Sequence, residues 1–299
     1  MKVIPAEVLG MCFGVRDALR RAMLVERPDQ TTIDGELVHN RVVLERLELR
    51  GFRQTAEQGR REIPATPSVL ITAHGISDSR RLRLLESGSQ LIDTTCPLVR
   101  RVHEAAGQLQ REGFHVLVLG KPGHVEVQGV VEDLDSCDVV GAPEQVRAFG
   151  HSRLGIVCQT TMPVHLADEL CRLIRCHNPH AEIRFIDTVC EPTRRRQQAM
   201  EALLPQVQAV VVVGGRNSNN TLQLVALCNQ HDVPVLHVES AAELDAAWLA
   251  RYQTVGLAAG TSTLDETIAE VHEALNRYPA QQSTSECSRA GSTKPNPRT

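Results

Sequence analysis

Three of the nine cysteines, Cys12, Cys96 and Cys190, each lie beside a glycine or proline turn and open a stretch with helical periodicity. Thiolates are soft ligands suited to iron-sulfur clusters or to zinc. No Cys-x-x-Cys pair occurs in the chain, so zinc ribbons, thioredoxin-like sites and contiguous ferredoxin motifs lack their signature. Any metal site has to be assembled from distant segments. A cubane cluster normally takes four cysteines; three leave one iron with a vacant position, able to bind a substrate oxygen, act as a Lewis acid and deliver electrons.

A repeat supports the grouping. Leu91-Ile92-Asp93-Thr94-Thr95-Cys96 is echoed by Phe185-Ile186-Asp187-Thr188-Val189-Cys190, 94 residues later (190 − 96). In each copy a glycine, Gly120 or Gly214, follows the cysteine by 24 residues and ends an apolar run; a fainter third copy starts at Cys12 and reaches Gly35 after 23. A second apolar run per copy covers residues 69–75, 154–161 and 255–262. Their β-branched content and flanking glycines predict strand ends, and the periodicity of residues 98–111 predicts a helix between strands. Alternating strands and helices mean an α/β fold with parallel sheets. The expectation is three similar α/β units in pseudo-threefold arrangement around a centre, cut at 1–93, 94–187 and 188–278, with 279–299 as a disordered tail.

The repeat also places polar residues around the cysteines, because ligand crevices of such sheets form beyond the carboxyl ends of the strands. Counting 27 or 28 residues past each cysteine gives His39, His124 and Ser218; the second strands deliver His74, Thr160 or Thr161, and Ser262; Asn220 adds an amide. Protonated histidines, hydroxyls and loop N–H groups make an anion site fit for a diphosphate. Glu126, two residues after His124, is the carboxylate the repeat sets beside this ring and can relay a proton to a leaving hydroxyl. Asp34, Asp93 and Asp187 are expected to buttress equivalent strand-to-loop turns. Cys137, Cys158, Cys171, Cys176 and Cys228 do not recur and read as small hydrophobes, and Cys287 as inert.

Composition excludes other classes. A formal charge of −4, a pI near 6.3 and 3% aromatic residues offer little to nucleic acid. Apolar runs such as 209–213 fall far short of the roughly 20 residues that cross a bilayer. The first residues carry no secretory pattern, which predicts a cytoplasmic protein with reduced cysteines. The basic run Arg194, Arg195 and Arg196 reads as a solvated helix face, and Gly214-Gly215 lacks a dinucleotide fingerprint.

Taken in order, Gly10-Met11-Cys12-Phe13-Gly14-Val15, Val38-His39-Asn40, Ala73-His74-Gly75, Thr95-Cys96-Pro97, Gly123-His124-Val125-Glu126, Gln159-Thr160-Thr161, Asn217-Ser218-Asn219-Asn220 and Gly260-Thr261-Ser262 resemble the 4-hydroxy-3-methylbut-2-enyl diphosphate reductases over roughly residues 2–276. The resemblance implies a three-lobed α/β fold around a 4Fe-4S cluster on Cys12, Cys96 and Cys190, whose remaining iron takes the substrate hydroxyl. It implies that His39, His74, His124, Ser218, Asn220 and Ser262 hold the diphosphate, that Glu126 delivers the proton, and that Thr160 is its partner. Two electrons, from reduced ferredoxin or flavodoxin, and two protons would give isopentenyl and dimethylallyl diphosphates. The chain departs from the family pattern beside these residues, at Met11, Val125, Glu191, Pro192, Asn219 and Leu264. Two other readings of the same residues are a non-catalytic iron-sulfur redox sensor and a cluster enzyme acting on another anionic substrate.

Overall fold

The structure is a computed structural model that describes residues 1–57, 60 and 62–278. The segment 279–299, expected to be a disordered tail, and Cys287 lie outside the described residues.

Among the described residues, twelve strands form three parallel four-stranded sheets. The first sheet is built from β2 (Thr31–Asp34), β3 (Arg53–Gln54), β4 (Ser68–Ile71) and β5 (Gln90–Asp93), and the second from β6 (His115–Leu119), β7 (Cys137–Val140), β8 (Arg153–Cys158) and β9 (Glu182–Phe185). The third takes β10 (Ala209–Val213), β11 (Val235–Val238) and β12 (Thr254–Ala259), and its fourth strand is β1 (Lys2–Pro5) from the other end of the chain. Written from the same edge, the orders are β5-β4-β2-β3, β9-β8-β6-β7 and β1-β12-β10-β11. The three sheets thus share one topology. Its consequence for the sequence-based division is concrete: residues 2–5, placed in the first unit by the cut at 93, pair with Thr254 to Leu257 of the third. A strand needs an unpaired edge to join, and β12 offers the edge that β4 and β8 give to β5 and β9.

Helices cover both faces of the sheets, as parallel sheets require. They are α1 (Phe13–Met23), α2 (Arg41–Leu49), α3 (Asp78–Glu86), α4 (Pro97–Arg111), α5 (Val125–Val131), α6 (Val164–His177), α7 (Glu191–Leu203), α8 (Asn219–Gln230), the short α9 (Ala246–Leu249) and α10 (Asp265–Asn276). On the second sheet, alternation in β6 sends Val116 and Val118 towards Val102, Ala106 and Leu109 of α4, while Leu117 and Leu119 meet Leu170 and Ile174 of α6. The spacing of Val99, Val102, Ala106 and Leu109 gives α4 one apolar stripe, so the predicted helix 98–111 is found as Pro97–Arg111. Cys158, Cys171 and Cys228 fill these cores as expected of small hydrophobes. None of the helices among the described residues is long and apolar enough to cross a membrane.

The aspartates behave differently from one another. Asp93 and Asp187 each accept a hydrogen bond two residues on, from Thr95 N–H at 2.9 Å and Val189 N–H at 3.1 Å. Asp34 is not their equivalent. It closes β2, the counterpart of β6, and its fully buried carboxylate pairs with Arg80 at 3.1 Å. The sequence match was a matter of residue type at a strand end, whereas sheet order decides equivalence. Replacing Asp34 by Ala removes a fully buried anionic partner of Arg80, which should lower unfolding free energy by roughly 3–5 kcal/mol in a denaturant titration.

Candidate functional site

Each sheet reverses its strand order between two central strands, β2 and β4, β6 and β8, or β10 and β12, and ligand crevices form beyond such a switch point. The residues singled out by the repeat are distributed over these three places. His39 follows β2 and His74 follows β4; His124 follows β6, with Thr160 and Thr161 after β8; Ser218 follows β10 and Ser262 follows β12.

The cysteines occupy the joints between units. Cys12, Cys96 and Cys190 are the N-cap residues of α1, α4 and α7. Each arrives from an edge strand of one sheet and launches a helix that packs on the next: Ala18 and Ala22 of α1, for example, sit against Ile33 and Leu70 of the first sheet. Their backbone N–H groups make equivalent bonds across the molecule, Cys12 to the Thr261 carbonyl at 3.0 Å, Cys96 to that of Ala73 at 3.1 Å and Cys190 to that of Thr160 at 3.0 Å. These contacts tie every cysteine to the loop behind a central strand. A Cβ at Gly14 would run into Cys96 Sγ, so the glycine lets the Cys12 and Cys96 segments close together.

The charge environment links all three sulfurs. Cys12 acts electrostatically on both Cys96 and Cys190, as does Glu126. Burial pushes the Cys96 thiol up, and pushes that of Cys190 up to about 11, against hydrogen bonds from Thr193. Such thiols stay protonated in a neutral protein and release their protons to a bound cation, since metal ligation requires thiolate. Helix N-termini beneath them favour the negative form. Cys12, Cys96 and Cys190 are therefore the residues equipped to hold a soft metal group.

Glu126 lies in the first turn of α5, 2% exposed. Its two oxygens accept from Thr160 N–H at 2.6 Å and from Thr160 Oγ1 at 2.9 Å. Burial pushes its carboxyl up to about 7, opposed by those two bonds and by His39. At neutral pH it is divided between acid and base, the state suited to proton transfer. Val125, where the family pattern has proline, is the first helical residue of α5, a position compatible with either.

The three histidines form a cluster. The rings of His39 and His74 stack with centroids 4.4 Å apart, and His124 stands edge-on to both at 5.6 and 5.8 Å. Burial, followed by His39, Lys121 and Arg60, holds His124 down to about 3. His74 is likewise well below the usual imidazole range through burial and the neighbouring cations. The expectation of protonated histidines is not met by two of the three: burial and the neighbouring positive groups favour the neutral form of His74 and His124. His124 Nδ1 accepts from Glu126 N–H at 3.1 Å, which leaves the proton on Nε2. Among the described residues, the buried His74 Nδ1 and Asn220 amide nitrogen have no hydrogen-bond partner.

The third unit closes the ring. Ser262 Oγ donates to the His39 carbonyl at 3.2 Å, Asn40 Nδ2 to the Ser262 carbonyl at 2.7 Å, and Thr261 N–H to Asn220 Oδ1 at 3.0 Å. Ser218 caps α8. Asn219, a serine in the family pattern, donates to Thr161 Oγ1 at 2.8 Å and so joins the second and third units. Beside His39 and His124 opens a cleft of about 700 Å³, lined by Arg60, Arg83, Lys121 and Arg216 together with Glu57 and Glu132. Arg60 pairs with Glu57 at 2.8 Å and Arg216 with Glu243 at 2.7 Å.

Sequence reasoning missed two residues here. Glu36 Oε2 lies 2.7 Å from His39 Nδ1, fixing that ring's proton and orientation. Its signal was a carboxylate three residues before a histidine, too common to notice. Arg196, read as solvated, is 4% exposed.

The family model described as LytB protein matches residues 3–276. The 4-hydroxy-3-methylbut-2-enyl diphosphate reductase of Aquifex aeolicus is 35% identical over 276 residues, covering 90% of this chain and 94% of that protein. The enzyme of the same name from Geobacter sulfurreducens is 32% identical over 284 residues, covering 93% and 99%. Among solved structures, the E-1-hydroxy-2-methyl-but-2-enyl-4-diphosphate reductase of Plasmodium falciparum superposes with a TM-score of 0.85 at 24% identity, covering 93% of this chain and 89% of that one. A second, an (E)-4-hydroxy-3-methyl-but-2-enyl diphosphate reductase described as the terminal enzyme of the non-mevalonate pathway, has a TM-score of 0.64 at 34% identity and covers 92% and 99%. With a match along nearly its whole length, the chain belongs to the LytB protein family.

Proposed function

We propose that this chain is a 4-hydroxy-3-methylbut-2-enyl diphosphate reductase. It removes the allylic hydroxyl of that substrate as water, using two electrons and two protons, and yields isopentenyl and dimethylallyl diphosphates. The observation that carries the reading is Glu126: a buried carboxyl poised near neutrality, held by Thr160, and within electrostatic reach of Cys96, Cys190 and His39 alike. An acid placed between soft metal ligands and an anion site is what reductive loss of a hydroxyl needs.

The donor set fits a 4Fe-4S cluster on Cys12, Cys96 and Cys190. The sulfurs belong to three helix N-termini, and the buried Arg196 guanidinium feels Cys12 and Cys190 as its negative neighbours. When bound, such a cluster supplies electrons and a Lewis-acidic iron for the hydroxyl. The chain's own residues do the rest. His39, His74, His124, Ser218, Asn220 and Ser262 hold the diphosphate; the Asn220 amide nitrogen, without a partner among the described residues, and the Nε2–H of His124 are its donors. Thr160 keeps the Glu126 carboxyl aimed. Glu126 gives its proton to the departing oxygen. Reduced ferredoxin or flavodoxin is the proposed electron source, and a cytoplasmic setting would keep the cysteines reduced.

Glu36 positions His39 within this scheme. Glu36→Gln should raise KM for the diphosphate by about tenfold, the weight of one hydrogen bond to a charged group, with a much smaller change in kcat. Steady-state kinetics separate the two. The reading as a whole is tested by anaerobic reconstitution with iron and sulfide followed by a dithionite-driven assay on the allylic diphosphate. Formation of both five-carbon diphosphates is the expected result. A fully loaded protein that consumes no substrate would reject it.

A further inference from the structure

The run Arg194-Arg195-Arg196 is split by the fold. Arg194 pairs with Asp187, and Arg195 pairs with Glu191 at the surface. Arg196 turns inward from α7. Its guanidinium donates to the Pro192 carbonyl at 3.1 Å and to the carbonyl of Gly10, two residues before Cys12. Its buried Nε has no hydrogen-bond partner among the described residues.

Two carbonyl oxygens do not cancel a full positive charge, and a buried cation is costly unless an anion answers it. Among the described residues Arg196 forms no ion pair with a carboxylate, and the negative groups that act on it are the sulfurs of Cys12 and Cys190. Neutral thiols cannot serve as that anion. Thiolates bound to an iron-sulfur group can, and such a group gains one further negative charge on each reduction. A fixed cation beside it lowers the energy of the reduced state more than that of the oxidised one.

We propose that Arg196 is the charge-balancing residue of the cysteine centre, held between Gly10 and the first turn of α7 so that it favours the reduced form of an iron-sulfur group on Cys12 and Cys190 and raises its reduction potential. This rests on the reading of those cysteines as cluster ligands. The step concerned is the transfer of one electron from an external reductant, dithionite in the test, to the oxidised group, with no bond made or broken in the chain. Arg196 is a positioning residue here, acting through the group rather than on the substrate.

The test is an anaerobic redox titration of the reconstituted full-length chain, followed by EPR and visible absorbance, with iron and sulfide measured in every sample. Wild type is compared with R196Q, R196M, R196K and, as a surface control on the same helix, R195Q. At the potential that half-reduces wild type, the ratio of reduced to oxidised group should fall at least tenfold in R196Q and R196M, equivalent to about 59 mV for a one-electron couple. R196K keeps the charge without the planar fork and should recover most of that shift, while R195Q stays near wild type. An unchanged potential in the neutral variants, or an equal shift in R195Q, overturns the proposal. If the neutral variants take up no iron but R196K does, the charge is required for holding the group and the proposal stands. If R196K also fails to load, Arg196 is only a clip on two carbonyls and the proposal falls. A wild-type chain that binds neither iron nor sulfide rejects the cluster reading itself, an outcome distinct from all of these.

Discussion

Glu126→Gln is expected to cut reductive turnover by about 10²–10⁴-fold while leaving iron and sulfide content and the visible spectrum unchanged. The substitution preserves shape and an acceptor oxygen for Thr160 but removes the transferable proton. It also separates the readings left open by the sequence. A redox sensor that works through its cluster has no use for a proton at this point, so its spectrum and signal would survive with nothing lost. A cluster enzyme acting on another anion by dehydration would turn over without consuming electrons, which the dithionite assay detects directly. The wild-type pH profile carries the same information. Burial holds the Glu126 carboxyl at about 7, above its ordinary 4.5, so the protonated acid is the major form below pH 7 and is lost above it. The kcat/KM of wild type should therefore fall about tenfold per unit on the alkaline side of roughly pH 7. The sign matters: an unperturbed carboxyl would place this limb near 4.5. A profile flat from pH 6 to 9 would remove Glu126 from the proton-donor role.

Cys96→Ala is expected to lose bound iron and, with it, turnover, by more than the roughly 10–100-fold that removal of an outer-shell partner costs a metal site. The reasoning is one of ligand count. With two sulfurs left, a group that normally takes four thiolates has too few anchors to be held. Cys158→Ala is the matched control, since Cys158 is fully buried in the second unit among Leu119, Leu170 and Val189 and recurs in no other unit. It should cost some stability through lost packing and leave iron content untouched. Retention of iron and sulfide in Cys96→Ala at wild-type stoichiometry, by metal analysis and absorbance, would sink the assignment of the three cysteines.

The division between what is legible in sequence and what is not follows a physical rule in this chain. Local periodicity and turn chemistry depend on neighbours, so α4 and the strands ending near Gly120 and Gly214 could be read directly from residues 98–111, 115–119 and 210–213. The internal repeat extended that reach. Units with the same strand order place equivalent residues at equivalent ends of strands, which is why the sequence alone groups His39, His124 and Ser218 and points to Glu126 two residues beyond one of them. The repeat fails where equivalence depends on pairing across the chain. Asp34 looked like Asp93 and Asp187 because all three stand at or just beyond the end of a strand, yet β2 and β5 occupy different places in one sheet.

By itself, then, the sequence determined the α/β class, the threefold recurrence of cysteine followed by helix, and the chemical types gathered at the strand ends. Tertiary structure alone decided that β1 completes the third sheet, that Glu36 stands behind His39, that two of three histidines are neutral, and that Arg196 faces inward while Arg194 and Arg195 pair at the surface. Three of these depend on burial, on a partner hundreds of residues away, or on the direction in which one side chain leaves a helix, and the contact of Glu36 with His39 depends on the path of the loop after β2. Neither charge state nor burial is a property of a residue type taken alone.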